Sequence, residues 1–184
     1  IRDTRGESFY MGRLAEKISA EVERLGGFLN EEDLKNFTPK YVDPISTNYR
    51  GVDIWEIPPN GHGISVLMAL NILSKMEIKE RSDIGTTHKI IEAIKLSLTD
   101  AKTFVADPDS MKIKIEELLS EEYAEKRRAD IKDFAEMPKS YPIKSSDTVY
   151  FATADKYGNM VSMIQSNYAG FGSGIVVPGT GIAL

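Results

Sequence analysis

Thr148 is the residue whose surroundings carry the sharpest chemical meaning in the sequence. Upstream of it Pro138, Pro142, Ser145 and Ser146 make a polar, breaker-rich linker, and from Val149 to Ala154 the chain turns into a hydrophobic run of strand character. Such a junction offers an accessible peptide bond, Asp147–Thr148, next to a hydroxyl held at the start of a strand. A threonine freed at that bond would carry nucleophile and base in one residue. Its own α-amine has an ordinary pKa of about 7.7–8.0 and can take the Oγ proton, directly or through a water. A structural threonine opening a strand is the alternative, and the commoner use of the residue.

The other candidate clusters read more plainly. Gly170, Gly172, Gly174, Gly179 and Gly181 do not follow the spacing of a nucleotide fingerprint, and no Gly-Lys-Ser/Thr occurs, so tight turns are the expected use. Asn60, Gly61, His62 and Gly63 stand at the mouth of an apolar helix, where backbone N–H groups could bind an anion or a side chain could simply cap the helix. His88 falls in the first turn of a helix and is expected at the surface. Glu92, Asp100 and Asp107 are spread along one helix and its end without the pairing that acid/base work needs. With no cysteine and two histidines, thiolate chemistry is excluded and no metal site is expected. No cofactor is expected either.

Several elements must position these residues. Met11, Leu14, Ala15, Ile18, Val22 and Leu25 recur at helical spacing until Gly26 and Gly27. Asn30 offers an N-cap to a short acidic helix through Leu34. Ser46 to Ile57 predicts a bent strand or hairpin, closed by Pro58 and Pro59. From Gly63 to Leu73 the residues are apolar almost all round, the pattern of a helix covered on every side. Thr86 or Thr87 is the expected cap of the next helix, with apolar residues from Ile90 to Val105, and Ser120 caps another that ends near Lys126, Arg127 and Arg128. Val149–Ala154 and Met160–Ser166 predict two strands joined by a turn over Asp155–Asn159. Helices followed by strands give an α+β layer protein.

Composition sets the outer bounds. The 184 residues suffice for a sizeable core, and 41% hydrophobic with 28% charged residues is an ordinary globular balance. Scattered basic residues, 23 Lys plus Arg against 28 Asp plus Glu, argue against nucleic acid or an anionic membrane as partner. No apolar run reaches the length of about 18 residues that crosses a bilayer. A chain that starts at Ile1 and stops at Leu184 in a glycine-rich stretch is expected to be the central piece of something longer. Its compartment, cytoplasmic or secreted, stays open because a signal peptide would lie upstream.

Several ordered strings together resemble one family. Asp147-Thr148-Val149-Tyr150-Phe151-Ala152-Thr153-Ala154-Asp155, Gly158-Asn159-Met160-Val161-Ser162, Phe171-Gly172-Ser173-Gly174 and Pro178-Gly179-Thr180-Gly181-Ile182 are similar to the start of the small subunit of gamma-glutamyltransferases. Gly26-Gly27-Phe28-Leu29, Tyr49-Arg50-Gly51, Pro58-Pro59-Asn60, Leu70-Asn71-Ile72-Leu73 and His88 with Glu92-Ala93-Ile94-Lys95 resemble the end of that family's large subunit, in the same order.

The resemblance implies an N-terminal nucleophile hydrolase, a four-layer αββα sandwich of which this chain is a fragment. It implies that a precursor cuts itself between Asp147 and Thr148, so that residues 1–147 end the large subunit and 148–184 begin the small one, each the other's partner. Thr148 becomes the catalytic nucleophile, and Ser166, by its offset, the hydroxyl that hydrogen-bonds it. The string Thr86-Thr87-His88 mimics the family's usual cut site, but it precedes a helix and lacks the strand and Gly-Asn that follow Thr148. The implied substrate is a small γ-glutamyl or other acyl amide, handled through an acyl ester on Thr148. Val149 and Tyr150 replace the common Thr and His, and Tyr168 replaces a substrate-binding Asn whose donor and acceptor pair it cannot supply. This pattern is closer to the branch that includes cephalosporin acylases. The alternatives are an acylase-like amidase and a noncatalytic homologue acting as a scaffold or binding protein.

Overall fold

The computed structural model describes residues 2–80, 82–137, 148–166 and 172–184. Along the chain run helices α1 (Glu7–Met11), α2 (Arg13–Arg24) and α3 (Glu31–Asn36), then strands β1 (Ile45–Tyr49) and β2 (Val52–Glu56). Helices α4 (Ile64–Leu73), α5 (Ile84–Phe104), α6 (Ile115–Leu118) and α7 (Glu121–Ala129) follow. Strands β3 (Thr148–Ala154), β4 (Met160–Ser166), β5 (Val176–Val177) and β6 (Ile182–Ala183) close the chain. The described strands form three antiparallel pairs, β1–β2, β3–β4 and β5–β6. The fold is therefore mixed helix and strand. The linker around Pro138 and Pro142 lies outside the described residues.

Residues divide into two units, Ile1–Pro39 with Pro142–Leu184, and Lys40–Tyr141. In the first unit, the predicted stripe on α2 turns Ala15, Ile18 and Val22 inward against Leu34 of α3 and Val177 of β5. Gly26, at φ +79°, ends α2: its N–H donates to Glu23 O and that of Gly27 to Val22 O at 2.8 Å, which satisfies two terminal carbonyls. Asn30 caps α3 as expected. Its Oδ1 accepts from the N–H of Glu32 and Asp33, and Asp33 Oδ2 accepts from Asn30 N at 3.0 Å.

In the second unit, β1 and β2 form the predicted hairpin. Its two-residue turn places Arg50 and Gly51 at φ +54° and +87°, the left-handed pair that suits the strand twist. Helix α4 buries Leu67 and gives Ile64 and Met68 to one apolar cluster and Ile72 and Leu73 to another. At the C-terminus of α4 Arg128 donates from Nε to Ile72 O at 2.9 Å and from Nη2 to Asn71 O at 3.2 Å. Helix α5 starts earlier than its apolar spacing implies. Asp83, not Thr86 or Thr87, is the cap, its Oδ2 accepting from Thr86 N at 2.6 Å. The first turn, Ile84 to Thr87, gave no inward apolar signal because Ile84 is exposed. Thr86 is instead buried, with its Oγ1 accepting from Lys79 N at 2.9 Å. Ser120 caps α7 by accepting from Tyr123 N.

Candidate active site

The hairpin β3–β4 places the leading candidates. Its turn is organised by one carboxylate. Asp155 Oδ1 accepts from the N–H of Tyr157 at 2.8 Å and of Asn159 at 3.0 Å, while Oδ2 accepts from Asn159 Nδ2 at 2.9 Å. Gly158 takes φ +86° there. These bonds, the Asn159 side chain foremost and then the Tyr157 N–H, hold the Asp155 carboxyl below its ordinary value. The turn closes the ladder at Ala154 opposite Met160, and the register then runs without a bulge to Thr148 opposite Ser166. Directly opposed residues of an antiparallel pair share one face of the ribbon, with Cβ atoms about 4.5–5.5 Å apart in general. Thr148 and Ser166 are thus brought together by the backbone, and Ser166 is exposed. Asp147 and Tyr168 lie outside the described residues.

The remaining candidates have structural partners. A Cβ at Gly63 would lie 2.5 Å from Oε2 and 3.1 Å from Cβ of Glu56, so the glycine lets the end of β2 approach the start of α4. That carboxylate brings negative charge to the helix N-terminus. Among the described residues no side chain caps α4. His62 contributes its carbonyl, which accepts from Ser65 Oγ at 2.7 Å. His88 is half-buried, and its Nε2 donates to Lys132 O at 2.7 Å. Buried Glu92 pairs with Lys95 at 2.7 Å. Asp107 accepts from Asp109 N at 3.0 Å and starts a short 3-10 helix.

Asp100 is the most deeply buried carboxylate described, and α7 supplies its partner. Arg127 donates to it from Nε at 2.8 Å and from Nη2, while its Nη1 reaches Asp130 at 3.0 Å. The Asp100 hydrogen bonds hold the Arg127 guanidinium above its ordinary value. Burial first, then the Asp100 charge, pushes the neighbouring Tyr123 phenol up. Arg127 and Arg128 lie in the last turn of α7, and besides the nearby Asp130 and Glu121 each has a partner far away in sequence, Asp100 for Arg127 and the end of α4 for Arg128, which no local pattern marks. Among the described residues no group of three or more His, Asp or Glu could hold a metal, and no helix is long and apolar enough to cross a membrane.

A hydroxyl residue opening a strand, paired across the ribbon with a second hydroxyl residue, is an arrangement suited to a nucleophile with a positioned neighbour. Comparison with known proteins gives the family. The Gamma-glutamyltranspeptidase family profile matches residues 1–184, and the chain belongs to that family.

Among its relatives, the glutathione hydrolase-like YwrD proenzyme of Bacillus subtilis is 35% identical, over 96% of this chain and 34% of that protein. The acylase ACY 1 proenzyme of Pseudomonas sp. strain SE83 is 32% identical, over 96% of this chain and 33% of that protein. Among solved structures, the cephalosporin acylase from Bacillus halodurans is 50% identical with a TM-score of 0.86, covering 99% of this chain and 33% of that one. The gamma-glutamyltranspeptidase of Helicobacter pylori shares the fold at a TM-score of 0.65 and 24% identity, over 74% of this chain and 40% of that one. The chain spans about a third of the length of the curated relatives it matches.

Proposed function

We propose that residues 1–184 are the central part of a self-processing amidohydrolase of the acylase-like branch, with Thr148 as processing and catalytic nucleophile. The observation that carries this reading is the pairing of Thr148, first residue of β3, with Ser166 across the ribbon. It gains weight from relatives that are named as proenzymes and as hydrolases or acylases. In the full protein the αββα layers of the superfamily would be completed by chain beyond these residues.

The chemistry follows from the residues. Attack of Thr148 Oγ on the Asp147 carbonyl moves the acyl group from nitrogen to oxygen. Water then hydrolyses the ester, leaving the Asp147 carboxylate at the end of one piece and the Thr148 α-amine at the start of the other. In turnover that amine accepts the Oγ proton as Oγ adds to a substrate amide carbonyl. The proton passes to the departing amine, and water, or a second amine, resolves the acyl ester. Ser166 orients Oγ in both reactions. Tyr168, in place of an amide side chain, directs the pocket toward acyl groups other than γ-glutamyl.

The test is Thr148→Ala in the full-length protein. The unaltered protein should run as two pieces on a denaturing gel and hydrolyse an acyl amide, and the variant as one uncut, inactive chain. Normal processing of the variant, or cutting at Thr86, overturns the assignment. An unaltered protein that stays whole and inactive supports a scaffold role instead.

A further inference from the structure

Side chains of a strand alternate between faces, so the β3–β4 register sorts the ribbon into rows. The face of Thr148 and Ser166 continues, toward the turn, with Tyr150 opposite Ile164, Ala152 opposite Ser162 and Ala154 opposite Met160. Val149 with Gln165 and Phe151 with Met163 belong to the other face. Of the first face, Ala152, Ala154, Met160 and Ser166 are exposed.

The row next to the two hydroxyl residues is therefore Tyr150 and Ile164. It lies roughly 6.5 Å further along the strands, and diagonal neighbours on one face, about 7–8 Å apart, are within reach of an aromatic side chain. The row after it is alanine and serine, so residue volume on this face falls beyond the tyrosine and isoleucine. Thr148–Ala154 and Met160–Ser166 contain no charged residue. A γ-glutamyl group ends in an ammonium and a carboxylate, and each needs a partner when it leaves water. This row offers a phenol and a hydrocarbon instead.

We propose that the Tyr150–Ile164 row is a wall of the acyl pocket and selects amides whose acyl group is neutral and aromatic, such as an arylacetyl group. The proposal rests on Thr148 as the nucleophile. A carbonyl attacked at Thr148 carries its substituent within one row of Tyr150, whereas Val149 and Gln165, as near along the chain, belong to the opposite face. A substrate ring against an aromatic residue gains apolar burial and an offset or edge-to-face contact. Tyr150 is thus a specificity-determining residue with no part in proton transfer.

The test uses the full-length protein and three 4-nitroanilides: phenylacetyl, acetyl and γ-glutamyl. A ratio of kcat/KM values for two substrates in one preparation is independent of how much of it is folded and cut. The unaltered protein should prefer phenylacetyl to each of the others by about tenfold or more, since one methylene in an apolar pocket already gives about 10- to 200-fold. Tyr150→Ala should lower the phenylacetyl-to-acetyl ratio at least about fivefold, through loss of the ring contact. Tyr150→Phe should keep the ratio, and Gln165→Ala, on the other face, should leave it in place. Tyr150→Leu removes the ring with less loss of bulk and gives the same reading where Tyr150→Ala does not fold.

A preference below tenfold in the unaltered protein, a smaller loss in Tyr150→Ala, an equal loss in Gln165→Ala, or a Tyr150→Phe protein as indiscriminate as Tyr150→Ala overturns the proposal. A cut, active protein without the preference overturns this inference alone. An unaltered protein that stays whole and inactive overturns the nucleophile assignment with it.

Discussion

Ser166→Ala in the full-length protein tests the register itself. The ladder places residues 148 and 166 directly opposite, at the end away from the turn. At the Cβ separation of about 4.5–5.5 Å common to such pairs, two Cβ–O bonds close the gap to a hydrogen bond. Between neutral hydroxyls such a bond contributes about 1 kcal/mol, and about 1.5–3 kcal/mol when one partner gains charge, as Oγ does during attack. At about 1.4 kcal/mol per decade, self-cutting and amide hydrolysis should slow by roughly one to two decades without stopping. Ser166→Thr keeps the hydroxyl and should restore most of the rate. Met160→Ala, at the turn end of the ladder, should leave both rates near normal. The assay is the disappearance of precursor on a denaturing gel, followed by single-turnover amide hydrolysis at matched melting temperature. Unchanged rates in Ser166→Ala, or a Ser166→Thr protein as slow as Ser166→Ala, would refute a positioning hydroxyl at 166.

Three further outcomes are expected. Arg127→Ala should destabilise more than Asp100→Ala, because it strands a carboxylate that is 1% exposed, at a cost of about 3–5 kcal/mol, whereas Arg127 without Asp100 keeps Asp130 and partial solvent contact. Melting temperatures of the two variants decide it, and equal losses would count against the asymmetry. Asp155 has a lowered folded pKa, so its support of the turn is complete above the ordinary value of 3.8 and fades as pH falls through the lower folded value. Amide exchange at Tyr157 and Asn159 should stay slow down to pH 3.8, and loss of protection already at pH 5 would contradict this. Tyr168→Asn should raise kcat/KM for γ-glutamyl anilides relative to other acyl amides, and efficient γ-glutamyl transfer by the unaltered protein would remove Tyr168 as the determinant.

What the sequence made legible was local. The α2 stripe, the Asn30 and Ser120 caps and the Asp155–Asn159 turn all depend on residues within about one helical turn or one tight turn of each other. Asp83 escaped because the first turn of α5 points no apolar residue inward. Asp100 with Arg127 and Glu56 against Gly63 escaped because each needs chain reversals that periodicity does not encode. The candidate site was half legible. Family resemblance drew attention to Thr148 and Ser166, while their opposition follows from a turn whose residues were already readable: once Ala154 faces Met160, an unbulged ladder leaves no other partner for Thr148.

Val177, on the downstream side of the proposed cut, sits in one apolar cluster with Ala15, Ile18, Val22 and Leu34 on the upstream side. Scission before Thr148 would therefore turn a covalent tether into a noncovalent one without dismantling that cluster. The two products begin at the high effective concentration of an intramolecular pair, and their separation would require Val177 to be rehydrated. Maturation by that cut would be a change of connectivity within a standing core: a new amino terminus would appear at residue 148 on a strand whose onward chain is already moored.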